Sequence, residues 1–223
     1  MPDLSTLYRN RFEEARQDEK NTMWRAICDA YMQDAIGHDK VVLDLASGYG
    51  EFSRNIEASK KIAIDLNPDA GSYLDPDVEF HNVAADTFTA STGEGVADVV
   101  FTSNFLEHLP NKTVCDAVLA EVLKVLRPGG RFVIMGPNIR YLASEYWDFY
   151  DHYLPLSHLS LEEGLQQSGF EIEKVIPRFL PYTTKSALPT HPFLIKAYLK
   201  MPIFWPLLGK QFLVTARKPA FER

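Results

Sequence analysis

The residues of this 223-residue chain that could do chemistry stand at the ends of apolar runs. In Val41 to Arg54, VVLDLASGYGEFSR, apolar residues flank Asp44, then Gly48 and Gly50 follow with one residue between them. A stretch of helical character begins directly afterwards. Glycine lets backbone approach a ligand closely and takes dihedrals closed to other residues. A helix start offers unpaired N–H groups and a positive dipole end. Together these make a place to hold a nucleotide-like cofactor. Two further apolar runs close on acids, KIAID at Asp65 and VEFHNVAAD at Asp86. Later runs lead to Ser103-Asn104 and to Pro137-Asn138, and His108, His152 and His158 stand near these ends.

Such residues need elements to position them. Val41 onwards, Lys61–Asp65, Val78–Asp86, Ala97–Phe101 and Arg131–Met135 read as five strands. Asn111 to Leu126 repeats apolar residues at helical period, with Asn111 as cap and Arg127-Pro128-Gly129-Gly130 as stop. Residues 4 to 36 read as a helical pair on the sheet edge, with Asn21 or Thr22 opening its second helix and Gly37 closing it. A helix over Leu159–Ser168 ends at Gly169, and Phe170–Phe179 and Gln211–Lys218 read as the last two strands. Alternating strand and helix calls for a parallel sheet covered on both faces. Ligands bind such sheets outside the carboxyl ends of the strands. That rule gathers Ser47 to Gly50, Asp65, Asp86, Ser103-Asn104 and Pro137-Asn138 along one rim.

Composition narrows the function classes. The formal net charge of −7 argues against a nucleic-acid partner, which usually meets a basic face. No apolar run reaches the roughly 20 residues that span a bilayer. The charged N-terminal run is unlike a signal peptide, and Cys28 and Cys115 lie in apolar helical patterns as buried free thiols. A cytoplasmic location is expected.

The ordered set DLASGYG, IAID, VAAD, ADVVFTSNFLEHL and LRPGGRFVI resembles the class I S-adenosylmethionine-dependent methyltransferases. The resemblance is close from Val41 to Met135. It implies an α/β fold, a Rossmann-like, doubly wound, mostly parallel seven-stranded sheet with an antiparallel last strand and helices on both faces. Residues 1–38 would be an N-terminal helical cap. Residues 39–223 would be the methyltransferase domain, with substrate-side insertions at about 139–158 and 181–209. The cofactor implied is S-adenosylmethionine. Asp44 would be the acid of the first motif, with Ala46 in place of its first glycine and Gly48 and Gly50 as the others. Ala46, Ser47 and Gly48 would lie against the amino acid end of the cofactor, and Tyr8 or Arg11 would reach its carboxylate. Asp65 would accept from both ribose hydroxyls, Leu66 would pack on the adenine, and Asp86, with Thr87 beside it, would accept from the adenine amino group. Ser103 and Asn104 would lead towards the methyl group.

An alcohol acceptor gains from a base as the new bond forms, and histidine has a suitable pKa. His152, in the aromatic segment after the fifth strand, is the first candidate and His108 the second; His158 reads as a capping or packing residue. No metal-ligand set is read from the sequence. The strand-end motifs of base-nitrogen, arginine and catechol-type methyltransferases are absent. What remains is a sugar, glycolipid or natural-product acceptor, methylated on a hydroxyl oxygen. The aromatic segment Ile139–His158 and the apolar, proline-broken stretch Phe193–Leu208 would meet it. Phe193–Leu208 equally suits core packing, a homodimer contact or transient contact with a membrane surface, so the chain is expected as a monomer or a homodimer. Two rivals remain open. One is a non-catalytic S-adenosylmethionine-binding regulatory subunit, since fold does not fix function. The other is an NAD-dependent oxidoreductase, whose fingerprint wants a glycine where Ser53 stands.

Overall fold

The computed structural model describes residues 14–182 and 191–220. Tyr8 and Arg11, the expected contacts to the cofactor's carboxylate, lie outside these residues. Seven strands form one sheet: β1 Val41–Leu45, β2 Lys60–Asp65, β3 Val78–Asn82, β4 Ala97–Ser103, β5 Leu126–Pro137, β6 Glu171–Ile176 and β7 Gln211–Arg217. Their spatial order is β3-β2-β1-β4-β5-β7-β6. Pairings from β3 across to β5 are parallel, and β7 runs antiparallel to both neighbours. The order reverses beside β1, so the loops after β1 and β4 diverge and leave a crevice between them.

Side chains alternate across the strands as the period of two requires. Leu43, Leu45, Val100, Phe132 and Ile134 face one core, against α5 (Lys112–Val125) and α6 (His158–Gln167). Val42, Val99, Phe101, Val133 and Met135 face the other, against α1 (Glu14–Ile27), the π-turn Cys28–Met32 and α2 (Gln33–Ile36) that follow it, and α7 (Pro192–Leu199). The short α4 (Thr89–Thr92) lies between β3 and β4 along the chain. The N-terminal helical segment therefore covers a face of the sheet, not its edge. It runs unbroken through Asn21 and Thr22, which open no second helix. Asn21 Oδ1 instead accepts from Asn55 Nδ2 at 2.7 Å, tying α1 to α3 (Glu51–Asn55). Gly37 closes the segment at φ +88°, donating to the Gln33 carbonyl. Cys28 and Cys115 are buried and unbonded to each other, and burial raises both thiols above their ordinary range.

Three strand limits differ from the sequence reading by three residues or more. The third strand stops at Asn82, so Asp86 stands in the loop beyond it. The fifth starts at Leu126, directly at the end of α5, because Leu126 pairs with Ala97 before Arg127–Gly130 bulge out and pairing resumes at Arg131. Gly129 takes φ +79° in that bulge. The sixth strand ends at Ile176, short of Phe179. Asn111 caps α5 as expected, accepting from the Val114 N–H at 3.1 Å. Ser157, and not His158, caps α6.

Two devices hold the exit of β1. Trp24, Phe52 and Phe101 meet from α1, α3 and β4, with Phe52 stacked on Phe101 at 3.8 Å and Trp24 edge-on to both. Behind them the buried Asp44 accepts from the Ser53 hydroxyl at 2.6 Å, joining β1 to α3 across the glycine turn. Burial pushes the Asp44 carboxyl up to about 7; Glu51 and Asp65 add to the rise and the Ser53 hydrogen bond opposes it. The folded state thus binds a proton more tightly than an unfolded aspartate at 3.8 does. Stability is fullest below the unfolded value and is lost as pH rises through about 7. Asp44→Asn removes that loss. In the ligand-free protein its stability gain over wild type is expected to grow from small at about pH 4 to a few kcal/mol, in order of magnitude, at about pH 8. Thermal melts across that range check this, and a gain independent of pH contradicts it.

Candidate active site

A cavity of about 1020 Å³ opens at the carboxyl ends of β1, β4 and β5. One end is the glycine turn, where Asp44, Ala46, Ser47 and Gly48 line the wall. The turn is pinned from below: Ser47 N–H donates to the Ile64 carbonyl at 3.0 Å and Gly50 N–H to the Ser47 carbonyl at 2.9 Å. Gly48 sits at φ +56°, and a Cβ there would meet no atom within 4 Å, so its backbone borders open space. Gly50 takes φ +73°, a left-handed backbone that any side chain would strain, and a Cβ there would also press on Leu74 Cδ2 at 2.4 Å. Ala46 takes φ +59°, a left-handed conformation that costs an alanine roughly 1–2 kcal/mol. The sequence shows it only as a small residue; the turn demands more of it than smallness.

Asp65 closes β2 behind the turn and is 7 % exposed. Its Oδ2 accepts from the Gly48 N–H at 2.8 Å and its Oδ1 from the Asn67 N–H at 2.8 Å. The Leu66 N–H adds a third backbone hydrogen bond to the carboxyl, which leaves lone-pair capacity for a ligand hydroxyl. Burial raises the carboxyl's pKa, and the N–H bonds oppose that. Leu66 beside it is 58 % exposed, an apolar face open to a base. Asp65, Leu66, Asp86 and Thr87 lie outside the lining of the large cavity. Asp86 is half-buried in the loop after β3 and Thr87 is exposed, so the fold carries this pair past the strand end where the sequence reading placed it.

These features fit an S-adenosyl group. Buried Ser47 Oγ has no hydrogen-bond partner among the described residues and lies on the cavity wall beside Gly48. Among the described residues, Asp44 and Glu51 on the wall and Asp65 behind the turn gather acids at this end, and Lys20 meets Glu51 in a 2.9 Å ion pair. An ammonium and a sulfonium suit such a site. Ser53, standing where a dinucleotide fingerprint has its third glycine, is committed to holding Asp44.

The other end of the cavity is built by Ser103 and Asn104, by Glu107-His108 in the short turn Leu106–His108, and by the segment after β5. Asn104 takes φ +50°, turning the chain sharply at the end of β4. The backbone of Glu107 anchors the aromatic segment, its carbonyl accepting from the N–H groups of Tyr153 and Leu154 at 2.8 and 3.0 Å. That seats His152 against His108 with ring centroids 5.1 Å apart. Phe149 stacks on His152 at 4.8 Å, and Tyr146 meets it edge-on at 4.7 Å. His108 Nδ1 lies 2.9 Å from the Asp151 carbonyl and 3.3 Å from its Oδ2. Glu107, His108 and His152 each offer a ligand atom within 4.8 Å of the other two. Burial pushes the Glu107 carboxyl up to about 8, with Asp151 adding and the residue's own N–H opposing.

The fold thus brings His152 and His108 together, and it keeps His158 apart as a packing residue, bonded to Asn138 Nδ2 at 2.9 Å. Asn138 is fully buried in that bond and in one to the Pro177 carbonyl, so it leaves the rim on which the strand-end rule put it. Sequence reasoning missed Glu107 as a site residue, although its adjacency to His108 was visible. It also missed Gln211, whose buried Oε1 has no partner among the described residues and which lines the same cavity. Leu194, Met201, Phe204 and Leu208 form the cavity's apolar flank.

The family model described as a methyltransferase domain matches residues 12–175. No curated protein sequence matches the chain. Solved structures do. An S-adenosylmethionine-dependent methyltransferase from Archaeoglobus fulgidus aligns at a TM-score of 0.66 and 21% identity, covering 97% of this chain and 100% of that one. An S-adenosylmethionine-dependent methyltransferase from Mesorhizobium loti aligns at 0.60 and 17% identity, covering 86% and 98%. The [4+2]-cyclase SpnF aligns at 0.60 and 17% identity, covering 90% and 81%, so the fold also carries a protein named for another chemistry. With the family model matching most of its length, this chain belongs to the class I S-adenosylmethionine-dependent methyltransferases, and S-adenosylmethionine is its cofactor.

Proposed function

We propose that the chain moves a methyl group to a hydroxyl oxygen of a small amphiphilic molecule, such as a glycolipid, sugar or natural product. One observation carries this reading: a single cavity runs from the glycine turn to the Glu107, His108 and His152 cluster and is flanked by apolar residues of the 194–208 region. The cofactor supplies an already activated methyl on a sulfonium, so the chain's work is alignment and handling of the acceptor's proton. Ser47, Gly48 and Asp65 hold the donor, Asp65 through the lone-pair capacity that its backbone hydrogen bonds leave. The two histidines stand where the acceptor hydroxyl loses its proton as the C–O bond forms and the C–S electrons pass to sulfur.

The acceptor's amphiphilic character is read from the flank. Phe193, Ile203 and Leu207 are exposed on the outside of the same segment whose Leu194, Met201, Phe204 and Leu208 line the cavity. Lys196 on α7 and Lys200 at its C-cap stand among them. An apolar tail would leave water along this flank while its polar head reaches the histidines. No helix among the described residues is long and apolar enough to cross a membrane.

Two substitutions test the reading. Asp65→Ala is expected to weaken S-adenosylmethionine binding by about 100-fold or more, through loss of charge-assisted hydrogen bonding to the ribose, measured by calorimetry on folded protein. Affinity retained within a few-fold contradicts the assignment of Asp65. His152→Ala is expected to lower turnover by roughly 10²–10⁴ while sparing cofactor affinity. Labelled cofactor and a panel of sugar, lipid and phenolic acceptors supply the assay, and an unchanged rate on the acceptor found removes His152 from the chemistry.

A further inference from the structure

We propose that Glu107, His108 and His152 bind a divalent first-row transition-metal ion at the acceptor end of the cavity. This rests on the reading of that end as the acceptor site and adds to it how the hydroxyl is activated. The three side chains reach the same place by different routes, Glu107 and His108 from the turn after β4 and His152 from the segment after β5. All three line the cavity, and one donor atom of each lies within 4.8 Å of the others.

Three observations favour a cation over a chance meeting of polar groups. First, the Glu107 side chain is only 3 % exposed, and its Oε1 has no hydrogen-bond partner among the described residues. A carboxylate oxygen left so in a buried place is costly, and a bound cation relieves that cost. Second, a carbonyl oxygen only accepts, so the 2.9 Å contact to the Asp151 carbonyl puts the proton of a neutral His108 on Nδ1 and the lone pair on Nε2. A ligating histidine commonly donates its second nitrogen's proton to a carbonyl or carboxylate in this way. Third, two imidazoles and one carboxylate form a mixed N/O donor set that suits zinc, manganese, iron or cobalt; magnesium and calcium favour oxygen alone. Two donors on one tetrahedral ion lie roughly 3.4 Å apart, so binding contracts the cluster by about 1.4 Å at most on its widest pair.

Three protein ligands leave coordination positions for water or for substrate. A hydroxyl bound there becomes more acidic, as metal-bound water does. Its proton passes to solvent, its oxygen forms the bond to the methyl carbon, and the C–S electrons go to sulfur. The histidines then act as ligands, and acceptors with two neighbouring oxygens are favoured because they can chelate.

The test uses the full chain, stripped with a chelator and titrated with Co²⁺ and with Zn²⁺, and needs neither donor nor acceptor. One Co²⁺ per chain is expected, with visible absorption bands of a nitrogen- and oxygen-ligated ion that Zn²⁺ displaces. Glu107→Gln and His152→Gln are each expected to weaken that binding by roughly 100-fold or more, beyond what loss of a ligand's supporting partner costs. Their circular dichroism and S-adenosylmethionine affinity are expected to match wild type. Absence of stoichiometric Co²⁺ and Zn²⁺ binding in the folded wild-type chain overturns the proposal, as does binding that both variants retain. Either result leaves the histidines as bases in the transferase reading, which stands or falls on turnover.

Discussion

The hydrogen bond from the Ser53 hydroxyl to the buried Asp44 carboxyl joins the end of β1 to the start of α3, and the proposed donor site hangs on that joint. Between the two residues the chain must reverse in a few residues. It does so with left-handed backbone at Ala46, Gly48 and Gly50. Were the strand end and the helix start free to separate, Gly48 would not hold its N–H on Asp65, and the turn would lose its link to β2. The aromatic contact of Trp24, Phe52 and Phe101 braces the same joint from the cavity side and brings the N-terminal helix into it. A strand exit, a helix start and a covering helix are thereby fixed relative to one another before any ligand is present.

The electrostatics follow from the same placement. Burying Asp44 near Glu51 and Asp65 is unfavourable for the protein alone, which is why the Asp44 carboxyl holds its proton up to about 7. A ligand carrying positive charge reverses that balance, so part of its binding comes from relieving a cost built into the fold. Glu107 repeats the pattern at the far end, with burial raising its carboxyl and one oxygen without a hydrogen-bond partner. A cavity with a strained acid at each end suits a cationic donor at one and a cation-assisted acceptor at the other.

Much of this was legible in the residues. All seven strands and the helix capped by Asn111 carry period and punctuation strong enough to read directly, and the glycine turn with Asp65 follows from strand-end logic. The errors have physical causes. Asp86 reads as a strand end because Val83 to Ala85 continue the apolar run, yet β2 offers no pairing partner beyond Asp65–Asn82. Asn138 reads as a rim residue because it follows β5, but His158 and Pro177 claim its amide from elements far along the chain. Period alone cannot show that Asn21 reaches across to Asn55. The meeting of Glu107 with His152 is likewise tertiary, made by backbone bonds from Tyr153 and Leu154 to the Glu107 carbonyl.

The central claim is that one continuous cavity holds the donor at the glycine turn and presents its methyl to the histidine cluster. A crystal structure of the chain with S-adenosylhomocysteine tests this most directly. The account requires the ligand's amino acid end against Ser47 and Gly48, its ribose hydroxyls on Asp65, and its sulfur facing the space bounded by Asn104, His108 and His152. A ligand bound with its sulfur turned away from that cluster, or seated elsewhere on the protein, contradicts it.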